Sequence, residues 1–407
     1  MTTTDDLLAR TLRHEAGPLV ARLSRRFGDF DLAEEAVQGA VVEALTSWRR
    51  HGPPDRPGAW LKVAATRNAM DGMRHRDRQR ALAARVDVRR ATDDGGTERT
   101  DDRLALLFAC CHPALAPDAR LALTLRAVVG LTTPQIARAF LVHETTLAQR
   151  IVRAKRKIVS TNIALTVPPE SELSARLSDV LAVVYVMFNE GFVSSTGATQ
   201  DRDLAADAVW LAGVVATALP TEAEAWGLAA LLTIQHARSR ARFAGGDLVL
   251  LRDQDRSLWD AAAIAEGERM IERAASLHRP GPYQLQAAIA AVHATGSSWA
   301  DTDWLQISLL YEELARYDPS PVVRLNQTVA HAQVAGPADA LVRLEWLAEP
   351  LAGYHLFHAT RAQLLSDLGR DDEAAEANRR ALELTTNDAE RRLLATRLHR
   401  RPLDDGS

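Results

Sequence analysis

Apolar residues recur along the chain at steps of three and four, and alternating β-branched runs are nearly absent. This periodicity predicts an all-α protein built as helix after helix. The exception is Gly246-Asp-Leu-Val-Leu-Leu251, which reads as a short strand or extended loop. A first block, residues 1–86, is helical from about Asp5 to Arg85 and carries the basic run Arg74-His-Arg-Asp-Arg-Gln-Arg80. Residues 87–102 include Thr92-Asp-Asp-Gly-Gly-Thr97 and lose the apolar period, as a flexible linker does. A second compact block spans 103–163. Residues 164–170 contain Val167-Pro-Pro169 and form a further boundary. Residues 171–401 continue as a long Ala- and Leu-rich helical region.

The second block contains the most specific pattern. Thr133-Pro-Gln-Ile-Ala-Arg-Ala-Phe140 predicts a short helix, capped by Thr133 with Pro134 at its first position. Ile136, Ala137 and Phe140 form its inward face, and Leu141-Val-His143 makes a turn. A second helix follows from about Thr145 to Ile158, with Leu147, Ile151, Ala154 and Ile158 as one apolar stripe. Its other face holds Thr145, Thr146, Gln149, Arg150, Arg153, Arg156 and Lys157, and no acidic residue occurs from Thr145 through Thr166. This is the pattern of a helix-turn-helix with a basic recognition helix. Arginine reaches guanine edges bidentately, glutamine reads adenine, and lysine and threonine hold phosphates. A solvated basic hairpin is the competing reading.

Charge and cysteine content sharpen the picture. Residues 1–160 hold 27 Lys/Arg against 19 Asp/Glu, a net of +8, while the remainder holds 22 against 34, a net of −12. A basic first part suits a polyanion, and an acidic second part does not. No stretch of 18 apolar residues is free of charge, and Met1 to Arg13 lacks an apolar signal core, so neither a membrane span nor a secretory leader is predicted. The two cysteines, Cys110 and Cys111, are adjacent and unsuited to bridging each other. A reducing cytoplasm is therefore expected, with both thiols buried as small hydrophobes.

In the first block, Asp31-Leu-Ala-Glu34 has capping-box spacing. The helix it opens carries Ala33, Val37, Ala40, Val41, Ala44 and Trp48 on one face and Glu34, Glu35, Gln38 and Glu43 on others. The stiff loop Gly52-Pro-Pro-Asp-Arg-Pro-Gly58 leads into Trp60-Leu-Lys-Val-Ala-Ala-Thr-Arg-Asn-Ala-Met-Asp71 and the basic run; Trp60 reads as a core residue.

Together these segments resemble an RNA polymerase sigma factor of the extracytoplasmic-function (ECF) type. Leu131–Phe140 followed by Thr146-Leu-Ala-Gln-Arg-Ile-Val-Arg-Ala-Lys155 is similar to region 4, which reads the −35 promoter element. The resemblance implies contacts from Gln149, Arg150 and Arg153, with Ala148 and Val152 beside them. Where the family often has Gly and Pro in the turn, this chain has Leu141 and His143. The capped helix, Pro-rich loop, Trp-Leu helix and Arg run resemble region 2. That likeness implies that Asp31, Glu34, Glu35 and Gln38 bind the polymerase β′ clamp. It also implies that Arg56, Lys62, Arg67, Asn68 and Arg74 engage the −10 element during melting, which needs cations along a single strand.

The stretches Arg103-Leu-Ala-Leu-Leu-Phe-Ala-Cys-Cys-His-Pro113, Phe188-Asn-Glu-Gly191, Asp253-Gln-Asp-Arg-Ser-Leu-Trp-Asp260 and Gly281-Pro-Tyr-Gln-Leu-Gln-Ala287 resemble a sigma subgroup whose C-terminal extension carries a tetratricopeptide-like domain. Gly336-Pro-Ala-Asp-Ala-Leu341 and Gly369-Arg-Asp-Asp-Glu-Ala374 lie 33 residues apart, each following one apolar helix and opening another. Helical repeats make concave surfaces for partners. The acidic extension is expected to contact the basic sigma part within the chain and to set its activity.

No catalytic motif, cofactor fingerprint or metal-ligand spacing appears, so neither enzyme activity nor a cofactor or metal is expected. Asp253, Asp255 and Asp260 lack the glycine and terminal glutamate of an EF-hand and read as a loop network. The alternative to a sigma factor is a helix-turn-helix regulator with a repeat-domain sensor, which binds DNA without polymerase.

Overall fold

The computed structural model describes residues 4–83, 99–140, 142–193 and 204–399. Two compact units divide the chain, Met1–Glu190 and Gly191–Ser407. Both are helical; the described residues contain one two-stranded ribbon.

In the first unit, α1 (Thr4–Phe27), α2 (Phe30–His51) and α3 (Pro57–Ala83) form the first block. The helix α2 buries most of the stripe expected of it: Ala33, Val37, Ala40, Ala44 and Trp48 are buried, and Val41 is half-buried. Trp48 is 1% exposed and meets the half-buried Trp60 edge-on at 5.6 Å. Truncating such a core aromatic costs roughly 3–5 kcal/mol. The cap differs from the expected one. Asp29, in an extended conformation, accepts the Leu32 N–H at 3.0 Å, so the helix begins at Phe30 and Asp31 lies in its first turn. Glu34 is also not on an open face; it is buried.

The second block comprises α4 (Arg99–Cys110), α5 (Pro117–Thr124), a π-turn over Leu125–Val129, α6 (Thr133–Ala139) and α7 (Glu144–Ser160). It begins earlier than expected, because Asp102, placed in the linker from sequence, is a buried residue of α4. Residues 84–86, residues 87–98 of that linker, and Leu141 in the turn lie outside the described residues. The cap of α6 also shifts by one: Thr132 Oγ1 accepts the Gln135 N–H, and Gln135 Oε1 accepts the Thr132 N–H at 2.8 Å. This reciprocal pair is a capping box.

After Pro168-Pro169, α8 (Glu170–Val193) begins. Its Arg176 donates to the Phe108 carbonyl at 2.8 Å, and its Asp179 meets Arg120 of α5 at 2.6 Å. This part of α8 lies in the first unit and is anchored to the second block, through carbonyl and charge contacts that no local periodicity displays.

In the second unit the helices are α9 (Leu204–Ala218), α10 (Ala223–His236), α11 (Ala261–Ala275), α12 (Pro282–Thr295), α13 (Trp304–Tyr317) and α14 (Pro321–Ala335). They continue as α15 (Pro337–Glu345), α16 (His355–Asp367), α17 (Asp371–Leu384) and α18 (Asp388–His399). The two repeat glycines sit between α14 and α15 and between α16 and α17, at φ of 90° and 70°. That left-handed region suits glycine, which carries no Cβ to clash. The strand expected in Gly246–Leu251 is β2 (Asp247–Leu248), paired antiparallel with β1 (Phe243–Ala244) across Gly245-Gly246. Asp255 and Asp260 cap helical turns, through Ser257 and Ala263. Among the described residues no cluster of metal-ligating side chains occurs, and no helix is long and apolar enough to cross a membrane.

Candidate nucleic-acid interface

The helix α7 buries Leu147, Ile151, Ala154 and Ile158 and so turns the rest of its circumference outward. Thr145, Thr146, Gln149, Arg153, Arg156 and Lys157 are exposed. Arg150 is half-buried because it meets Asp118 of α5 at 3.2 Å. Arg150, Arg153 and Lys157 line a groove of about 570 Å³ whose other wall is the Ala114–Ala119 segment. Glu144 in the first turn and Lys157 in the last complement the helix dipole. An exposed cationic face on a rigid helix can enter a major groove, because its side chains are aimed by the buried stripe beneath.

Lys155 belongs to neither the stripe nor the open face. Its ammonium meets Glu34, lies 2.9 Å from Asp31 and sits 5.2 Å from the Phe30 ring centroid. Burial lowers its pKa, but Glu34 and Asp31 outweigh this and hold it above the ordinary lysine value. Arg126, on the π-turn, reaches the same Glu34 at 2.6 Å, and Gln38 donates to that carboxylate at 3.2 Å. On the other side of the junction Arg22 and Arg25 of α1 converge on Asp102, which is 1% exposed; Arg22 is 3.0 Å away. At Gly17 of α1 an added Cβ would stand 3.3 Å from the Val128 carbonyl, so backbone approaches backbone closely here. The two blocks therefore meet face to face, and Asp31 and Glu34 lie in that contact. Glu35 remains exposed and pairs with Arg76 at 2.8 Å.

The first-block cations separate into groups. Arg56 and Lys62 are exposed and line one groove of about 480 Å³ together with Glu15 and Arg22. Arg67 and Asn68 instead turn to Glu43, the latter at 3.0 Å. Arg74 is exposed and meets Asp71 at 3.2 Å. Arg76 ties the basic run to Asp29 and Glu35. Sequence reading did not single out Arg22, Arg25, Asp102, Arg126 or Lys155; each is one charge in an ordinary helix until its distant partner is known.

Cys110 and Cys111 are buried. Burial pushes the Cys111 thiol up to about 12, against a weaker opposing hydrogen bond with Thr124, and raises Cys110 well above its ordinary value. Both are protonated at neutral pH and so are poor nucleophiles and ligands.

Comparison with known proteins agrees with this division. The Sigma-70 region 2 family matches residues 12–79 and Sigma-70 region 4 matches 105–158. A family of unknown function, DUF6596, matches 176–275. An uncharacterised protein of Rhizobium meliloti is 44% identical over 379 residues, covering 90% of this chain and 89% of its own length. The probable ECF RNA polymerase sigma factor SigI of two Mycobacterium tuberculosis strains is 30% identical over 171 residues, 40% of this chain and 58% of SigI. With both sigma regions present in order, each on its own helical block, the chain belongs to the ECF sigma factors of the sigma-70 family and carries a helical C-terminal extension.

Proposed function

We propose that this sigma factor brings core RNA polymerase to its promoters in the cytoplasm through three surfaces. Gln149, Arg150 and Arg153 read base edges of the −35 element, while Thr145, Thr146, Arg156 and Lys157 hold phosphates. Arg56 and Lys62, with Arg67, Asn68 and Arg74 behind them, hold the −10 strand. Asp31, Glu34, Glu35 and Gln38 dock on the β′ clamp. The observation that carries this reading is the exposed cationic face of α7, rigidly backed by Leu147, Ile151, Ala154 and Ile158. Because Lys155 and Arg126 cover Glu34, and Lys155 also pairs with the exposed Asp31, this arrangement is a closed form, and clamp binding through Glu34 requires the two blocks to part.

The acidic extension sets the activity of the basic part. The charge split of +8 against −12 supports this, since opposite fields select and steer a contact. Transcription with purified core polymerase on a panel of genomic promoters tests the first claim: specific transcripts above core alone are expected, and DNA binding without any transcript overturns it in favour of a polymerase-independent regulator. A chain ending at Val193, which keeps the α8 anchor, tests the second. A several-fold change in output is expected, and output equal to the full chain across salt concentrations refutes it.

A further inference from the structure

The second unit contains a group of cations that none of the sigma surfaces uses. Arg238 follows α10, Arg242 follows the short turn Ser239–Ala241, and Arg256 opens the turn Arg256–Leu258 ahead of α11. The guanidinium groups of Arg238 and Arg256 lie over the Trp259 ring, 5.8 and 4.7 Å from its centroid. Arg242 stacks on Phe192 at 3.6 Å and donates to the Phe192 carbonyl. Arg256 donates to the carbonyls of His293, at 2.7 Å, and Gly296, at the end of α12.

Among the described residues no carboxylate pairs with Arg238, Arg242 or Arg256. The acids nearby are engaged elsewhere. Asp255 accepts from Ser257, Asp260 caps α11, Asp301 holds Ser297 and Ser298, and Glu390 accepts from Thr385. Burial, reinforced by Arg256, brings Arg238 down to about 10; burial and Arg238 do the same to Arg242. Burial and then Arg238 and Arg256 hold His293 down to about 4, so its ring is neutral. Three buried polar atoms of this neighbourhood have no hydrogen-bond partner: Arg238 Nε, Trp259 Nε1 and His293 Nδ1.

Ring stacking and carbonyl caps account for Arg256. Arg242 is held by the same devices on Phe192, and Arg238 by Trp259 and a bond to Gln235 at 3.3 Å; neither charge is neutralised by a carboxylate, and the buried donors left over each cost about 1–3 kcal/mol unless something accepts from them. We propose that Arg238 and Arg242, with Trp259 and His293 beside them, form a binding site for a doubly charged oxyanion, a phosphate that is either free or borne by a small molecule. Two guanidinium groups without a carboxylate partner call for two negative charges, and their forked donors match phosphate oxygens. The extension is then a ligand-binding module. This assignment does not depend on the promoter-reading surfaces.

Isothermal titration of the full chain tests it, using inorganic phosphate in one arm and glycerol phosphate in another, against sodium chloride at matched ionic strength. Saturable binding of one phosphate per chain is expected, accompanied by a rise in the unfolding midpoint. Arg238→Gln and Arg242→Met should each weaken binding at least tenfold. Arg238→Gln should also leave the ligand-free protein as stable as wild type or more so, because a like-charge contact is gone. A purely structural arginine predicts the opposite: lower stability and no phosphate response. If one variant fails to fold, the other carries the comparison, and the wild-type titration stands by itself. Tighter binding of inorganic phosphate assigns the free ion, and tighter binding of glycerol phosphate assigns an ester. Heats equal to those of chloride, or undiminished binding in a folded variant, overturn the proposal.

Discussion

Removing the Lys155 ammonium should open the two sigma blocks. Lys155→Met keeps the aliphatic stem that lies along the junction but deletes the charge that meets Glu34 and Asp31. Glu34 keeps Arg126 at 2.6 Å, so it is not left unpaired. The Asp31 side chain is 64% exposed, and its share is therefore small, at most about 1 kcal/mol. The charge-assisted bond to the buried Glu34 is worth about 1.5–3 kcal/mol. The docked form should lose roughly 2 kcal/mol, a factor of about 30 in the ratio of docked to open molecules. Energy transfer between dyes on Val42→Cys of α2 and Val159→Cys of α7 measures this ratio. Both positions are well exposed, at 62% and 65%, and the native thiols are buried and will not compete for label. Transfer should fall in Lys155→Met while the helical signal stays unchanged. In a double-mutant cycle with Glu34→Gln the two losses should be non-additive. Unchanged transfer together with strict additivity would refute the closed-form reading.

Further outcomes are expected from single sites. Arg153→Ala should cost about 1–3 kcal/mol of promoter binding and blur preference within the −35 element, whereas Lys157→Ala should weaken binding evenly across sequences; equal, sequence-independent losses in a binding-site selection would exclude Arg153 as a base reader. Glu35→Lys removes the Arg76 partner on the exposed side of α2 and should weaken core association in a pull-down while leaving the melting midpoint near wild type; unchanged affinity moves the clamp surface elsewhere. Asp29 is pushed up by burial but held below its usual 3.8 by the Leu32 N–H and Arg76, which together outweigh it. Its stabilising effect is therefore present above that pH and lost as the pH falls through the lower folded value. Asp29→Asn, which keeps the cap acceptor, should be less stable than wild type at neutral pH by about 1 kcal/mol. The gap should close in thermal melts taken well below pH 3.8, and a gap independent of pH would contradict the pairing.

Local sequence determined the helices and their inward faces. The 4-3-4 spacing of Leu147, Ile151, Ala154 and Ile158 fixes which side of α7 is buried, because a helix returns to the same face every three to four residues. The repeat glycines were legible for the same local reason, since a left-handed turn tolerates little else. Tertiary structure decided the rest. Whether Asp29 or Asp31 caps α2, and Thr132 or Thr133 caps α6, depends on the backbone conformation of the preceding residue, which packing sets. Glu34 has the local pattern of an exposed helical acid, yet it is buried because Lys155, 121 residues away, and Arg126 reach it. Arg67 and Asn68 look free for DNA on their own helix and are drawn to Glu43 on its neighbour. Periodicity records which face turns inward, but a charge finds its partner only when distant helices are brought together, so the pairings and the arginine group around Trp259 exist only in the folded chain.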